Sequence, residues 1–174
     1  MFGGPTLKYS GRGRQVSAEP GEERGNTRIA ACTEEHLAHI NAILELSPEA
    51  AAWKNRSLIE SFKQHPACFL VAWQDKEIAG FICGRSVIDE GEILNLAVKP
   101  EFRRQGVGGA LIRALLDVFA SQQISQVFLE VRKSNTSALS LYQRLGFRQI
   151  GERPDYYRNP VESAIVLSLS ARAI

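Results

Sequence analysis

The run Arg103-Arg104-Gln105-Gly106-Val107-Gly108-Gly109 has the make-up of an anion cradle. It opens a segment whose apolar residues, Val107, Ala110, Leu111, Ala114, Leu115, Val118 and Phe119, recur at intervals of three and four, the period of a helix with one buried face. At a helix entrance the first amides lack intrahelical acceptors and the backbone dipoles turn their positive end outward. Glycines there let a ligand approach the backbone closely. Two arginines add formal charge. A phosphate or pyrophosphate suits this chemistry, and a helix start that is merely glycine-rich stands as the plain alternative. The run lacks the GK[ST] ending of a nucleotide P-loop. The strand before it reads as part of a meander rather than the first strand of a dinucleotide-binding unit, so ATP and NAD lose ground.

Two further residues have acid–base chemistry. With Val127-Phe128-Leu129-Glu130-Val131 read as a strand, alternation turns Glu130 away from the face of Val127, Leu129 and Val131. Tyr142 lies on the helical stripe Ala138, Leu141, Tyr142, Leu145. Singly, each has an ordinary reading, the first as a solvated or ion-paired edge carboxylate and the second as a core ring with its hydroxyl at the rim. Together they gain weight, because a strand end and its following helix can aim a carboxylate and a phenol into the crevice at a sheet's carboxyl edge. Asn135 fits the N-cap of that helix and Gly146 its C′ position, so the element carrying Tyr142 is well terminated.

The elements that must position these groups follow from the period of the sequence. Thr27–Ala31 reads as a short strand, and Thr33 stands as an N-cap ahead of Glu34, Glu35 and His36, opening a helix to about Leu46. Ser47-Pro48 breaks it, and residues 53–63 form a second helix. Residues 68–73, 77–86 and 91–98 are dense in apolar and β-branched residues with tight turns between, an antiparallel meander. A helix over 105–120, a strand over 126–131, a helix over 135–145 and strands over 147–152 and 163–169 complete a mixed α/β sheet.

Composition sets the frame. The 174 residues suit one domain, and a formal net charge of +2 is too near neutrality for bulk nucleic-acid affinity. Three cysteines, Cys32, Cys68 and Cys83, show no CxxC spacing, which argues against zinc and a disulfide framework and fits a reducing cytoplasm. His36 and His39, three apart, read as surface, so no metal is expected. No apolar run reaches the length of a membrane span. Residues 1–26, rich in Gly, Arg, Glu and Ser, read as a disordered tail, leaving 27–174 as the folded unit. The Gly-Arg-Gly-Arg stretch of that tail could touch RNA, but composition favours a solvated leader, and no direct nucleic-acid binding is expected.

Several segments in order resemble the GNAT acetyltransferases, and within them the ribosomal-protein-alanine N-acetyltransferases of the RimI type. Asn95-Leu96-Ala97-Val98-Lys99-Pro100 is similar to the strand and turn before the coenzyme site. Arg103 to Gly108 matches the [RQ]xxGx[GA] motif, and Leu129-Glu130-Val131-Arg132, Asn135, Ala138 and Leu141-Tyr142 through Leu145-Gly146-Phe147 complete the pattern. The likeness runs from about Thr27 to Leu169. It implies a GNAT-like, mostly antiparallel central sheet flanked by helices on both faces, with acetyl-CoA as cosubstrate. It places the pantetheine arm and acetyl carbonyl on the backbone of Leu96, Ala97 and Val98, and the pyrophosphate on Arg103, Arg104, Gln105, Gly106, Val107, Gly108 and Gly109. Asn135 would bind the coenzyme arm, Glu130 would accept the proton and Tyr142 would donate one.

Elementary chemistry agrees. A protein α-amine has a pKa of about 8 and must lose a proton before attack, while the leaving thiolate, of parent pKa about 8.5, can be protonated by a phenol of pKa about 10. The cysteines lie far in sequence from both motifs, so direct transfer in a ternary complex is expected. The resemblance makes a protein N-terminus, such as that of a ribosomal protein, the acceptor. The alternatives are a small amine or lysine side chain, and, from another class, a non-catalytic acetyl-CoA sensor. Ala52-Trp53-Lys54 keeps only the tryptophan of the family's Pro-Trp-Ser segment. With Trp53, the pair Tyr156 and Tyr157, expected in a loop, is assigned to the acceptor side. The expected assembly is a monomer or weak dimer.

Overall fold

The computed structural model describes residues 27–47 and 55–170. The tail assigned to residues 1–26 lies outside them, as do Trp53 and the expected start of the second helix. In chain order the elements are β1 (Arg28–Ala31), α1 (Leu37–Glu45), α2 (Asn55–Gln64), β2 (Phe69–Gln74), β3 (Glu77–Val87), β4 (Glu90–Val98), α3 (Val107–Ser121), β5 (Gln126–Arg132), α4 (Thr136–Arg144), β6 (Arg148–Arg158) and β7 (Val161–Ser170). The strands form one sheet in the order β1-β2-β3-β4-β5-β7-β6, antiparallel throughout except for the β4–β5 pair.

Alternation along the central strands builds a core on each face. On β2, Leu70 and Ala72 join Leu111, Ile112, Leu115 and Phe119 of α3 and Tyr142 of α4. Phe69 and Val71 turn the other way, onto Ile40 and Ile43 of α1 and Leu58 and Phe62 of α2. Helices on both faces of the sheet are therefore as expected. Fully burying an aliphatic chain such as Leu111 contributes about 2 kcal/mol, so the α3 stripe is a main anchor of the fold.

One irregularity creates the cleft. Cys83 pairs with Asn95 but Gly84 pairs with Ile93, leaving Leu94 as an extra residue on β4. Such a bulge bends its strand. The parallel pairing of β4 with β5 runs only from Glu90↔Gln126 to Ile93↔Leu129. Beyond that point β4 stays with β3 out to Val98 while β5 stays with β7 out to Arg132, so the two strands splay apart. Gly84 is required here, since a Cβ would fall 2.6 Å from the Glu92 carbonyl and 2.9 Å from the Phe119 ring.

Two local differences from expectation have physical reasons. Thr33 has the extended conformation of a cap, and its amide donates to His36 Nδ1 at 3.1 Å, but Glu34–His36 wind as a 3₁₀ turn before α1 begins. The strand expected over 147–152 extends to Arg158, so Tyr156 and Tyr157 lie on β6 and not in a loop. The outer strand of the sheet has mostly exposed residues, and its sequence therefore lacks the apolar alternation that marks an inner strand. Its irregular stretch between Arg153 and Tyr157 carries Pro154 and a positive φ of 51° at Asp155, both tolerated on an edge.

Candidate active site

The splayed strands enclose a cleft of about 80 Å³, lined on the β4 side by Ile93, Leu94, Asn95 and Leu96 and on the β5 side by Glu130, Val131 and Arg132, with Asn135, Ala138, Tyr142 and Tyr157 closing it. Glu130 and Tyr142 reach it from opposite faces of the sheet. Leu129 and Val131 belong to the α3–α4 core with Tyr142, and alternation puts the Glu130 side chain on the other side. In a continuous sheet the two would be separated by backbone; the gap removes that barrier.

Tyr142 is held from both ends of α4. Asn135 accepts from the Ala138 amide at 3.1 Å as the N-cap, while Gly146, at φ 92°, and Phe147 donate back to Gln143 O and Tyr142 O, closing the C-terminus. The Tyr142 ring packs edge-on against Phe147 at 5.6 Å. Burial, with the neighbouring Tyr157 phenol adding to it, pushes the Tyr142 hydroxyl well above its ordinary value, so it is a protonated donor across the physiological range.

Around Glu130 stands a set of groups that sequence reasoning did not bring together. The Arg153 guanidinium lies 2.7 Å from Glu130 Oε1. Tyr156 packs edge-on against Tyr157, with ring centroids 5.2 Å apart. Its phenol is pushed up to about 12, chiefly by a hydrogen bond to Glu130 and then by burial. Arg132 caps the Tyr157 ring at 4.1 Å and pairs with Glu162 at 3.3 Å. Glu162 also accepts from the Ser134 amide, which holds its carboxyl below the usual range. This network fixes Tyr157 in the cleft wall. Its one signal in the sequence is the density of charged and tyrosine residues over 152–162, a segment that alternation alone does not place on a strand.

The predicted anion cradle lies at the start of α3. Gly106 takes the N-cap position at φ 88° and Arg104 has φ 63°, so the chain turns sharply into the helix. A Cβ on Gly106 would meet no atom within 4 Å, leaving open space in front of the first amides of a 15-residue helix. A Cβ on Gly108 would meet Leu141 at 3.3 Å and Val98 at 3.9 Å, which shows the helix start wedged between the end of β4 and α4. Arg103 braces the turn, with Nε donating to Val98 O at 3.0 Å and Nη2 to Ser47 Oγ at 3.3 Å. The site is thus continuous in kind: helix amides for an anion, then the edge of β4 released from β5, whose peptide groups can pair with an amide-bearing arm.

Of the residues singled out in the sequence, Leu96, Glu130, Asn135, Tyr142 and Tyr157 line the cleft together. Tyr156 contacts Glu130 from outside it. Ala97 turns its methyl into the opposite core, so only its backbone can serve the site. Residues 103–109 do not line the cleft; Gly108 lies near Val98, two residues beyond the lining residue Leu96. Cys32, Cys68 and Cys83 are buried, and desolvation raises all three thiols, Cys32 to about 11. None lines the cleft.

Comparison with known proteins identifies the family to which this fold belongs. The sequence model of the Acetyltransferase (GNAT) family matches residues 23–147. The [ribosomal protein bS18]-alanine N-acetyltransferase of Escherichia coli (strain K12) is 32% identical over 128 residues, which is 72% of this chain and 86% of the relative. The crystal structure of the ribosomal-protein-S18-alanine N-acetyltransferase from Escherichia coli superposes with a TM-score of 0.72 at 29% identity, covering 84% of this chain and 94% of that one. Ard1 from Thermoplasma volcanium gives a TM-score of 0.77 at 28% identity, covering 83% and 97%.

Proposed function

The chain belongs to the GNAT acetyltransferase family and is an acetyl-CoA-dependent N-acetyltransferase, and from that premise we propose that its acceptor is the N-terminal α-amine of a protein, with a ribosomal protein as the leading candidate. The observation that carries the mechanism is the splay of β4 from β5, with Glu130 and Tyr142 at its two sides. Acetyl-CoA supplies an activated thioester.

The amides of residues 104–109 hold the pyrophosphate, and the freed edge of β4 at Leu96–Val98 receives the amide-bearing arm and aims an N–H at the thioester carbonyl. Glu130, directly or through one water, takes the proton from the ammonium that must become a nucleophile. Tyr142, which burial keeps protonated, gives its proton to the departing sulfur and regains one from the nitrogen as the amide forms. Asn135, fixed by its cap bond and lining the cleft, holds the coenzyme arm. Tyr156 and Tyr157 line the route by which the peptide enters. The acetyl group moves in one step of direct transfer, since the buried thiols are poor nucleophiles.

The N-terminal assignment rests on the names of the relatives at about one-third identity and on the aromatic pair Tyr156 and Tyr157 beside Glu130. A coenzyme A release assay tests it, using peptides that begin with Ala, Ser or Met and carry acetyl-blocked lysines, beside a panel of small amines. Turnover of the Ala peptide, with mass spectrometry placing the acetyl on its α-nitrogen, is expected. Turnover of polyamines or free lysine alone would move the acceptor to the small-amine class, and binding of acetyl-CoA without turnover of any amine would make the protein a sensor.

A further inference from the structure

The turn that opens α3 has two residues in left-handed conformation, Arg104 at φ 63° and Gly106 at φ 88°. For arginine that conformation is unfavourable and persists only when surrounding structure fixes it. The fixing contact comes from a distant part of the sheet. Gln105 Nε2 donates to its own turn at Glu101 O, 2.8 Å away, and Gln105 Oε1 accepts from Gln74 Nε2 at 2.7 Å. Gln74, the last residue of β2, is only 5% exposed. Its own Oε1 is buried and has no hydrogen-bond partner among the described residues. Burying an amide oxygen in that state is unfavourable, so the side chain's value lies in what its other end holds. The same hairpin makes a second link from the same cross-strand pair, where Glu77, opposite Gln74, forms an ion pair with Lys99 just ahead of the turn.

We propose that Gln74 is a positioning residue for coenzyme binding: acting through Gln105, it holds the 103–106 turn in the conformation that presents the α3 amides to the pyrophosphate. The inference rests on the assignment of the pyrophosphate to that turn. Gln74 itself touches no part of the coenzyme; it ties the hairpin end of β2–β3 to the loop whose shape sets the grip.

Gln74→Met keeps the length and volume of the side chain and removes the donor, and Gln105→Ala removes the relay at an exposed position where folding is not at risk. Calorimetry with coenzyme A on each variant and on the double variant, beside KM for acetyl-CoA and for S-acetyl-pantetheine, which has no pyrophosphate, decides the matter. Each single change is expected to weaken coenzyme A binding at least about five-fold, with the double variant no weaker than Gln105→Ala alone, because the Gln74–Gln105 hydrogen bond is lost in either case and Gln105→Ala also removes the bond to Glu101 O. KM for S-acetyl-pantetheine should move less than about two-fold in Gln74→Met, since the lost contact serves only the pyrophosphate. Unchanged coenzyme A affinity in both single variants, additive losses, or an equal loss against S-acetyl-pantetheine would overturn the proposal. Should wild-type protein bind coenzyme A no better than pantetheine, the pyrophosphate assignment itself fails, a result distinct from a silent Gln74.

Discussion

The Arg153 guanidinium sits 2.7 Å from Oε1 of Glu130, so the carboxylate assigned to take the acceptor's proton already holds a cation. The pair is unequal: the arginine side chain is 60% exposed and the glutamate 17%. An acceptor arriving as an ammonium must share Glu130 with Arg153 or displace it.

Arg153→Ala therefore lowers KM for the acceptor peptide while changing kcat less. Its stability stays within about 0.5 kcal/mol of wild type, because a solvent-screened pair contributes little. Steady-state kinetics against an Ala-starting peptide and a thermal melt check both. A rise in KM would instead give Arg153 a direct hold on the peptide.

Glu130→Gln keeps the shape of the side chain and removes the base. Turnover near neutral pH falls by about 100-fold or more, and part of the loss returns as pH rises past the amine's own pKa of about 8, where the acceptor deprotonates unaided. A pH series of kcat/KM reads this directly. Wild-type turnover at pH 7 would remove Glu130 from the mechanism.

Tyr142→Phe preserves the ring packing on Phe147 and removes only the hydroxyl. Turnover drops about 10- to 100-fold with the fold intact by circular dichroism. The folded state holds the Tyr142 proton more tightly than the unfolded chain does. The stability this contributes is fully present below the ordinary tyrosine value of about 10 and is lost as pH rises beyond it. The phenylalanine variant should lose less stability between pH 9 and pH 11 than wild type, roughly the span over which a free tyrosine ionises.

The thiols give a fourth check. Buried and raised, Cys32, Cys68 and Cys83 resist iodoacetamide in the native protein at neutral pH and react after denaturation. Initial-rate plots against both substrates intersect, as a ternary complex requires. Parallel lines, or activity lost on alkylating one native thiol, would point to an acetyl-cysteine route.

Much of this was legible in the sequence because local rules carry it. The period of α3, the cap at Asn135, the left-handed Gly146 and the opposite facing of Glu130 and Leu129 each depend on residues within a turn or two. What escaped depends on partners far apart. The splay of β4 from β5 accompanies the extra residue Leu94 between the Cys83–Asn95 and Gly84–Ile93 pairs, a register event that no local pattern marks. The extension of β6 through Tyr157 is hidden because an exposed edge strand has no apolar alternation to announce it. Arg153 on Glu130 and Gln74 on Gln105 join positions 23 and 31 residues apart, and such pairs follow only from the assembled sheet.

Catalysis turns on the cleft between β4 and β5 bringing an acetyl thioester to Glu130 and Tyr142. The most direct measurement is a crystal structure of the protein with a coenzyme A–acetyl–peptide conjugate. The expected result is the pyrophosphate on the amides of residues 104–109, the Tyr142 hydroxyl within hydrogen-bond reach of the sulfur, and Glu130 at about 3 Å from the peptide nitrogen or one water removed. A conjugate seated elsewhere, or one whose sulfur and nitrogen lie beyond the reach of both side chains, would contradict it.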